Sequence, residues 1–159
     1  DNISSAWNVG SMFRTADGTG IKKIYICGIT PTPKHPQVSR TALGAENAIP
    51  WKYESNTVKL ANSLISTGYR LWVLEDTPKS INLYDVDYTM LTMPIVLVVG
   101  NEVCGVDPAL MELSECMLSI PMLGQKRSYN VAVAFGIAAS YLSYCQSLSQ
   151  GSTNKLPST

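Results

Sequence analysis

Three stretches of the chain set chemistry-bearing side chains among small, turn-forming residues. Asn8-Val9-Gly10-Ser11-Met12-Phe13-Arg14-Thr15-Ala16 carries an amide and a guanidinium. Gly100-Asn101-Glu102-Val103-Cys104-Gly105-Val106 carries a carboxylate between glycines. Ile120-Pro121-Met122-Leu123-Gly124, continuing through Lys126-Arg127-Ser128-Tyr129-Asn130 to Ala134, carries two cations, a hydroxyl and an amide. A guanidinium grips a phosphate through two parallel charged hydrogen bonds. An asparagine both donates and accepts, which suits it to orienting a hydroxyl or another side chain. Ser128 and Asn130 stand where a helix opens, so they cap its free N–H groups and share its positive dipole end.

Several familiar arrangements are excluded. Gly100 to Gly105 has phosphate-loop spacing, but Val106-Asp107 follows where lysine and serine or threonine are needed. Gly18-Thr19-Gly20 lacks the third glycine of a dinucleotide fingerprint and precedes a strand signal instead of following one. There is no Gly-x-Ser-x-Gly elbow. The only histidine, His35, lies in Pro33-Lys34-His35-Pro36 and reads as an ordinary loop residue, which leaves no base for a serine triad. Cys27, Cys104, Cys116 and Cys145 are too scattered for a zinc site and read as free thiols of a reducing cytoplasm.

The elements that must position these residues alternate between strand and helix. Ile21 to Ile29, Tyr69 to Leu74, Pro94 to Val99 and Cys116 to Ile120 read as strands. Pro94 to Val99 is continuously apolar, the mark of a strand buried on both faces in a parallel sheet. Thr57 to Ser66 has helical spacing with Gly68 as its stop, and Pro108 to Leu113 opens behind Asp107. Asn130 to Tyr144 is small and apolar and predicts a buried helix; Trp7, Trp51 and Trp72 read as core or interface. The fold class is α/β. Gly100 and Ile120 then fall at carboxyl ends of strands, where open α/β sheets bind ligands. Loops there wall a pocket with main chain, able to satisfy a nucleobase edge.

The chain has 159 residues, 45% of them hydrophobic, which suits one domain with a real core. Twelve basic and 12 acidic residues cancel, so no blanket cationic surface marks it for nucleic acid. Lys22-Lys23 and Lys126-Arg127 are its small basic pairs; the second adjoins the proposed pocket. No apolar run reaches the ~18 residues of a membrane span, and no signal peptide is visible. The domain is expected over residues 1–146, with residues 147–159 a fraying tail. The chain opens on what reads as the end of a strand or a loop, so a first strand is expected upstream of Asp1.

The three stretches, in this order and at these intervals, resemble the motifs of the SpoU (TrmH-like) branch of the SPOUT methyltransferases. The family's first motif, Asn-x-Gly-(small)-x-x-Arg-Thr-Ala, is matched by Asn8 to Ala16, and its second, Gly-x-Glu-x-x-Gly-(aliphatic), by Gly100 to Val106. The third is matched from Ile120 to Ala134 except that Tyr129 replaces the usual leucine. The resemblance runs from Asn2 to about Tyr144. It implies an open, mainly parallel sheet flanked by helices, with a deep C-terminal trefoil knot. It implies S-adenosylmethionine as cofactor, transfer of its methyl to a ribose 2′-oxygen of tRNA or rRNA, a homodimer, and no metal.

Site residues carried over from the resemblance are Arg14, Asn8, Glu102, Ser128 and Asn130 for catalysis. Gly100, Asn101, Ile120, Met122 and Tyr129 would hold the cofactor, much of it through main chain, and Arg14, Lys126 and Arg127 would meet RNA. The family gives the arginine a proton-accepting role. A guanidinium pKa above ~12 opposes that, so Arg14 is read as orienting phosphate and ribose, close to Glu102. The alternatives are a non-catalytic RNA-binding or assembly protein with the same fold and, more distantly, another class of cofactor-binding α/β enzyme.

Overall fold

Ser5 starts the first helix of the computed structural model, which describes residues 1–149. The Ser5 hydroxyl accepts the Asn8 N–H, and Ala6–Thr19 (α1) runs until Gly20 turns left-handed at φ 71°. Val9, Met12, Phe13 and Ala16 recur at helical spacing and form the buried face. The first motif therefore lies within a helix throughout, not at a strand end. Ile24–Cys27 (β1) follows. His35 then caps Pro36–Ala42 (α2), its Nδ1 accepting the Gln37 N–H. Ala45–Ala48 (α3) and Trp51–Glu54 (β2) come next. Sequence patterning missed α2, α3 and β2 because each is too short to show a period.

The longer of the remaining elements fall where expected; β4 and the two 3-10 turns between β3 and β5 were not expected. Thr57–Ser66 (α4) starts behind Asn56, whose Oδ1 accepts the Lys59 N–H, and Arg70–Leu74 (β3) follows. Ile81–Asn82 (β4) and two 3-10 turns, Leu83–Asp85 and Tyr88–Leu91, lead to Ile95–Val99 (β5). Asp107 accepts the Ala109 N–H to start Pro108–Leu113 (α5), then come Cys116–Ser119 (β6) and Val131–Ser149 (α6). Residues 147–149 thus continue α6, and the rest of the expected tail lies outside the described residues.

All strand pairs are parallel, as the alternating pattern requires. They form two groups: β1 beside β2, and β4-β6-β3-β5. Packed on them are three apolar clusters. One joins α1 and α2 to Ile26, Phe135 and Ala139, and a second surrounds Trp72 with Leu83, Leu118 and Ala138. The third joins Ala61 of α4 and Leu110 of α5 to Leu71, Val73 and Val98. Trp72 is fully buried, Trp51 is half-buried and Trp7 is exposed. The expected burial of α6 is corrected. Phe135, Ala138, Ala139 and Cys145 are inside, whereas Val133, Tyr144 and Leu148 face outward. Its Val131–Leu148 stretch is long and apolar enough to cross a membrane, but here its inner face packs on two core clusters.

Gly10 fixes how closely α1 meets α2. A Cβ there would lie 2.6 Å from both Thr41 Cβ and the Val38 carbonyl oxygen. Gly18, in the same helix, has nothing within 4 Å of such a Cβ. Gly10→Ala is expected to destabilise the fold by about 1–3 kcal/mol through forced separation of the helices. Gly18→Ala is expected to be neutral or to stabilise by up to about 1 kcal/mol. Paired urea melts check the contrast.

Candidate active site

The three motifs converge through one hydrogen-bonded chain. Glu102 lies in the loop after β5 and is mostly exposed, yet its carboxylate is crowded with donors. Oε2 accepts the Ser4 N–H at 2.9 Å and the Ser4 hydroxyl at 2.8 Å; Oε1 accepts the Ser5 N–H at 3.1 Å and Asn8 Nδ2 at 2.8 Å. Because a carboxylate only accepts, Asn8 must present its NH₂ to Glu102 and its oxygen outward. That oxygen receives Asn130 Nδ2 at 3.2 Å. Asn130 is left with its own Oδ1, which caps α6 by accepting from the Ala132 and Val133 N–H groups. The polarity of the whole chain, Glu102–Asn8–Asn130–α6, is therefore fixed at both ends, by an acceptor-only carboxylate and by donor-only N–H groups of the helix.

Burial pushes the Glu102 pKa up, but the Ser4 backbone, Asn8, its own N–H and the Ser4 hydroxyl together outweigh it and hold the carboxyl at about 2. Glu102 is thus anionic throughout the neutral range and a very weak base there. Its work is to clamp the start of α1 to the β5 loop. Ser4 and Ser5 are partners in this clamp that sequence reading did not single out. Ser5 could have been found as a helix cap, whereas Ser4 carries no local signal.

Two glycines give the β5 loop its shape. A Cβ on Gly100 would lie 2.3 Å from the Gly105 carbonyl group, and Gly105 has φ 73°. Asn101 and Gly105 exchange both main-chain hydrogen bonds at 3.0 Å. Asn101 also donates Nδ2 to the Asn2 carbonyl and accepts the Val103 and Cys104 N–H groups. With these groups engaged, Asn101 shapes the loop on which the expected cofactor contact would rest. Glu75, at the end of β3, supports the far side by accepting the Val106 N–H at 3.1 Å.

The third motif follows β6, next to β3 in the sheet, so its loop and the β5 loop flank the carboxyl end of β3. From residue 121 to residue 129, no main-chain or side-chain group hydrogen-bonds to another described residue. Ile120 and Met122 are half-buried, Tyr129 is partly exposed, and Leu123 is 99% exposed. Lys126, Arg127 and Ser128 are exposed in this segment, with Ser128 two residues before Asn130. Arg14 does not join Glu102: the ion pairs among the described residues are Lys52–Glu54 and Arg70–Glu115. It lies six residues beyond Asn8 on α1, about 9 Å along the axis and about 120° around it. Asn8 fills the place expected for Arg14, whose exposed guanidinium stays available to an outside anion. Among the described residues, no group of three or more His, Cys, Asp or Glu is placed to hold a metal ion.

The Glu102 clamp has a pH signature. Its folded pKa of about 2 lies below the ordinary glutamate value near ~4.3, so its stabilisation is complete above that value and fades as pH falls toward 2. Glu102→Gln is expected to lower the urea midpoint at pH 7 and to flatten the acid limb between about pH 4.5 and 2. Urea melts across pH 2–7 on both proteins check this.

The SpoU rRNA Methylase family model matches residues 1–140. A tRNA (guanosine(18)-2'-O)-methyltransferase of Aquifex aeolicus is 30% identical over 138 residues, covering 86% of this chain and 63% of the relative. The 23S rRNA (guanosine-2'-O-)-methyltransferase RlmB of Vibrio parahaemolyticus is 28% identical, covering 86% and 54%. This chain therefore spans roughly half to two thirds of the length of these relatives. Among solved structures, AdoMet-bound rRNA methyltransferase from Sinorhizobium meliloti superposes with a TM-score of 0.82 at 27% identity, covering 89% of this chain and 53% of that one. The A. aeolicus TrmH/SpoU tRNA modifying enzyme gives 0.83 at 29% identity, covering 95% and 74%. With its three motifs joined in space and the family model spanning nearly all the described residues, the chain belongs to the SpoU rRNA methylase family.

Proposed function

We propose that the protein transfers a methyl group from S-adenosylmethionine to a ribose 2′-oxygen of tRNA or rRNA. The observation that carries this is the Glu102–Asn8–Asn130 chain, which unites three sequence-distant motifs beside a loop with free main-chain groups. The cofactor fits that setting: the groups of residues 121–129 that bond to no other described residue, with Gly100 and Ile120 at the ends of the two strands that flank β3, suit an adenosine edge and ribose hydroxyls. Gly100, Ile120, Met122 and Tyr129 would hold it. When bound, S-adenosylmethionine supplies an electrophilic methyl on a sulfonium, which leaves as a neutral thioether.

The chain's own residues position and manage charge. A ribose hydroxyl is a poor nucleophile; as its oxygen takes the methyl its proton passes to solvent water, since Glu102 is too weak a base to accept it. Arg14, which forms no ion pair among the described residues, grips the adjacent phosphate and offsets the negative charge developing on oxygen. Lys126 and Arg127 add cations beside the same pocket. Ser128 and Asn130 orient the ribose at the start of α6, while Asn8, locked by Glu102, fixes Asn130. The expected fold details join this proposal: a trefoil knot formed by the third-motif segment, and a cytoplasmic setting that suits four free thiols. The homodimer rests on Val133, Tyr144 and Leu148, which lie exposed along one side of α6.

Calorimetry with S-adenosylmethionine and a tritiated methyl-transfer assay on total tRNA and rRNA test the activity. Cofactor binding with no transfer to any RNA would favour the non-catalytic reading; no binding would end the cofactor reading altogether. Arg14→Ala is expected to keep cofactor affinity while slowing single-turnover transfer by roughly 100-fold or more, and near-normal transfer would remove Arg14 from the reaction. For the dimer, Tyr144→Asp is expected to halve the mass seen by light scattering.

A further inference from the structure

Expected in the core or an interface, Trp7 stands 51% exposed, whereas Trp72 is fully buried and Trp51 half-buried. The phase of α1 puts it there. Val9, Met12, Phe13 and Ala16 take the core side of the helix. One flank meets α2, where Gly10 approaches Thr41 and Val38, and the other meets α6, where Thr15 faces Gly136. What remains is the stripe opposite the core, and Trp7 and Arg14 share it. Seven residues apart, they are about 10 Å apart along the axis but only about 20° around it. Ser11 lies between them on the same stripe and is too small to screen one from the other.

The stripe begins at the site. Glu102 Oε1 accepts the Ser5 N–H at 3.1 Å and Asn8 Nδ2 at 2.8 Å, and those two residues bracket Trp7. The backbone that carries the indole is therefore held by the carboxylate that orients Asn8. Among the described residues the indole makes no hydrogen bond, and no other ring or cation packs on it. Arg14 forms no ion pair among the described residues, so the stripe presents a cation beside a ring. That pairing matches the phosphate and base of a nucleotide better than it matches an apolar protein face. Unpaired RNA bases stack on exposed aromatic side chains while cations track the backbone. We propose that Trp7 is a stacking platform for an unpaired base of the substrate RNA, within one nucleotide of the methylated ribose, with Arg14 on the neighbouring phosphate. The position of that ribose rests on the methyl-transfer reading. The stacking adds a substrate class: the target lies in a loop, bulge or other single-stranded segment, because a base stacked inside a duplex has no face to offer. Stacking accepts every base, so Trp7 selects unpaired structure and not sequence.

Trp7→Ala, Trp7→Leu and Trp7→Phe are compared with the parent chain, with total tRNA and total rRNA as probes. Leucine keeps apolar contact but removes the π-face; phenylalanine keeps a ring. RNA binding is expected to weaken roughly tenfold or more in the alanine and leucine variants and less than about threefold in the phenylalanine variant. The thermal midpoint and the calorimetric affinity for S-adenosylmethionine are expected to stay unchanged. RNA is expected to quench the parent's tryptophan emission, and the quench to vanish in Trp7→Phe, which leaves Trp51 and Trp72. Parent-like RNA affinity in the leucine variant, or a quench that survives Trp7→Phe, would overturn the proposal. So would a Trp7→Ala chain that falls from dimer to monomer in light scattering, since Trp7 would then be a contact between copies. RNA binding with the quench but no methyl transfer leaves the stacking standing and removes the methyl-transfer reading. Methyl transfer equally fast in all four proteins at limiting RNA does the reverse, and a parent chain that binds no RNA removes both.

Discussion

The Glu102 carboxylate receives donors from Ser4, Ser5 and Asn8, and the geometry of the site descends from that arrangement. It ties the start of α1 to the loop after β5, elements almost a hundred residues apart in the chain. Its charge also decides which way the Asn8 amide points, because an acceptor-only group leaves Asn8 a single productive orientation. Asn130 meets the outward Asn8 oxygen with its NH₂ and turns its own oxygen to the first turn of α6, whose donor-only N–H groups require the same orientation.

That clamp needs a rigid frame on both sides. Gly10 lets α1 lie close enough to α2 for Val9, Met12 and Phe13 to reach the core. Gly100 and Gly105 fold the β5 loop so tightly that Asn101 spends its polar groups inside it, while Glu75 pins the far end. The third-motif loop has the opposite character: from residue 121 to 129 its main-chain groups bond to no other described residue. One wall is braced from within, and the other keeps donors and acceptors that suit the proposed ligand. Asp1 and Asn2 belong to this frame too, since they bond to the Val99 and Cys27 carbonyls immediately ahead of Ser4.

Much of the fold was legible in the sequence, for identifiable reasons. The helix bounds at Thr57–Ser66 and Pro108–Leu113 were written by caps and a helix-starting proline, which are local signals. The apolar run Ile95–Val99 announced a parallel strand, although four of its five residues are half-buried here because it stands at the edge of its four-strand group. α2, α3 and β2 were not legible, being a few residues each and held by contacts to α1 and β1. α6 was read as buried throughout since its composition is apolar on all sides; only packing against α1 and β3 decides which side stays outside.

By itself, the sequence determined the α/β class, the three motifs and the identity of Glu102, Asn8 and Asn130 as members of one site. Residue type, order and local spacing carry that information. The tertiary structure alone decided that Asn8 and not Arg14 partners Glu102, that Ser4 joins the clamp, and that the polar groups of Asn101 are spent inside its own loop. Each of these depends on a helix phase or a strand edge meeting a residue far away in the chain. A hydrogen bond of about 3 Å tests such meetings to a fraction of an ångström, a precision that no local pattern encodes.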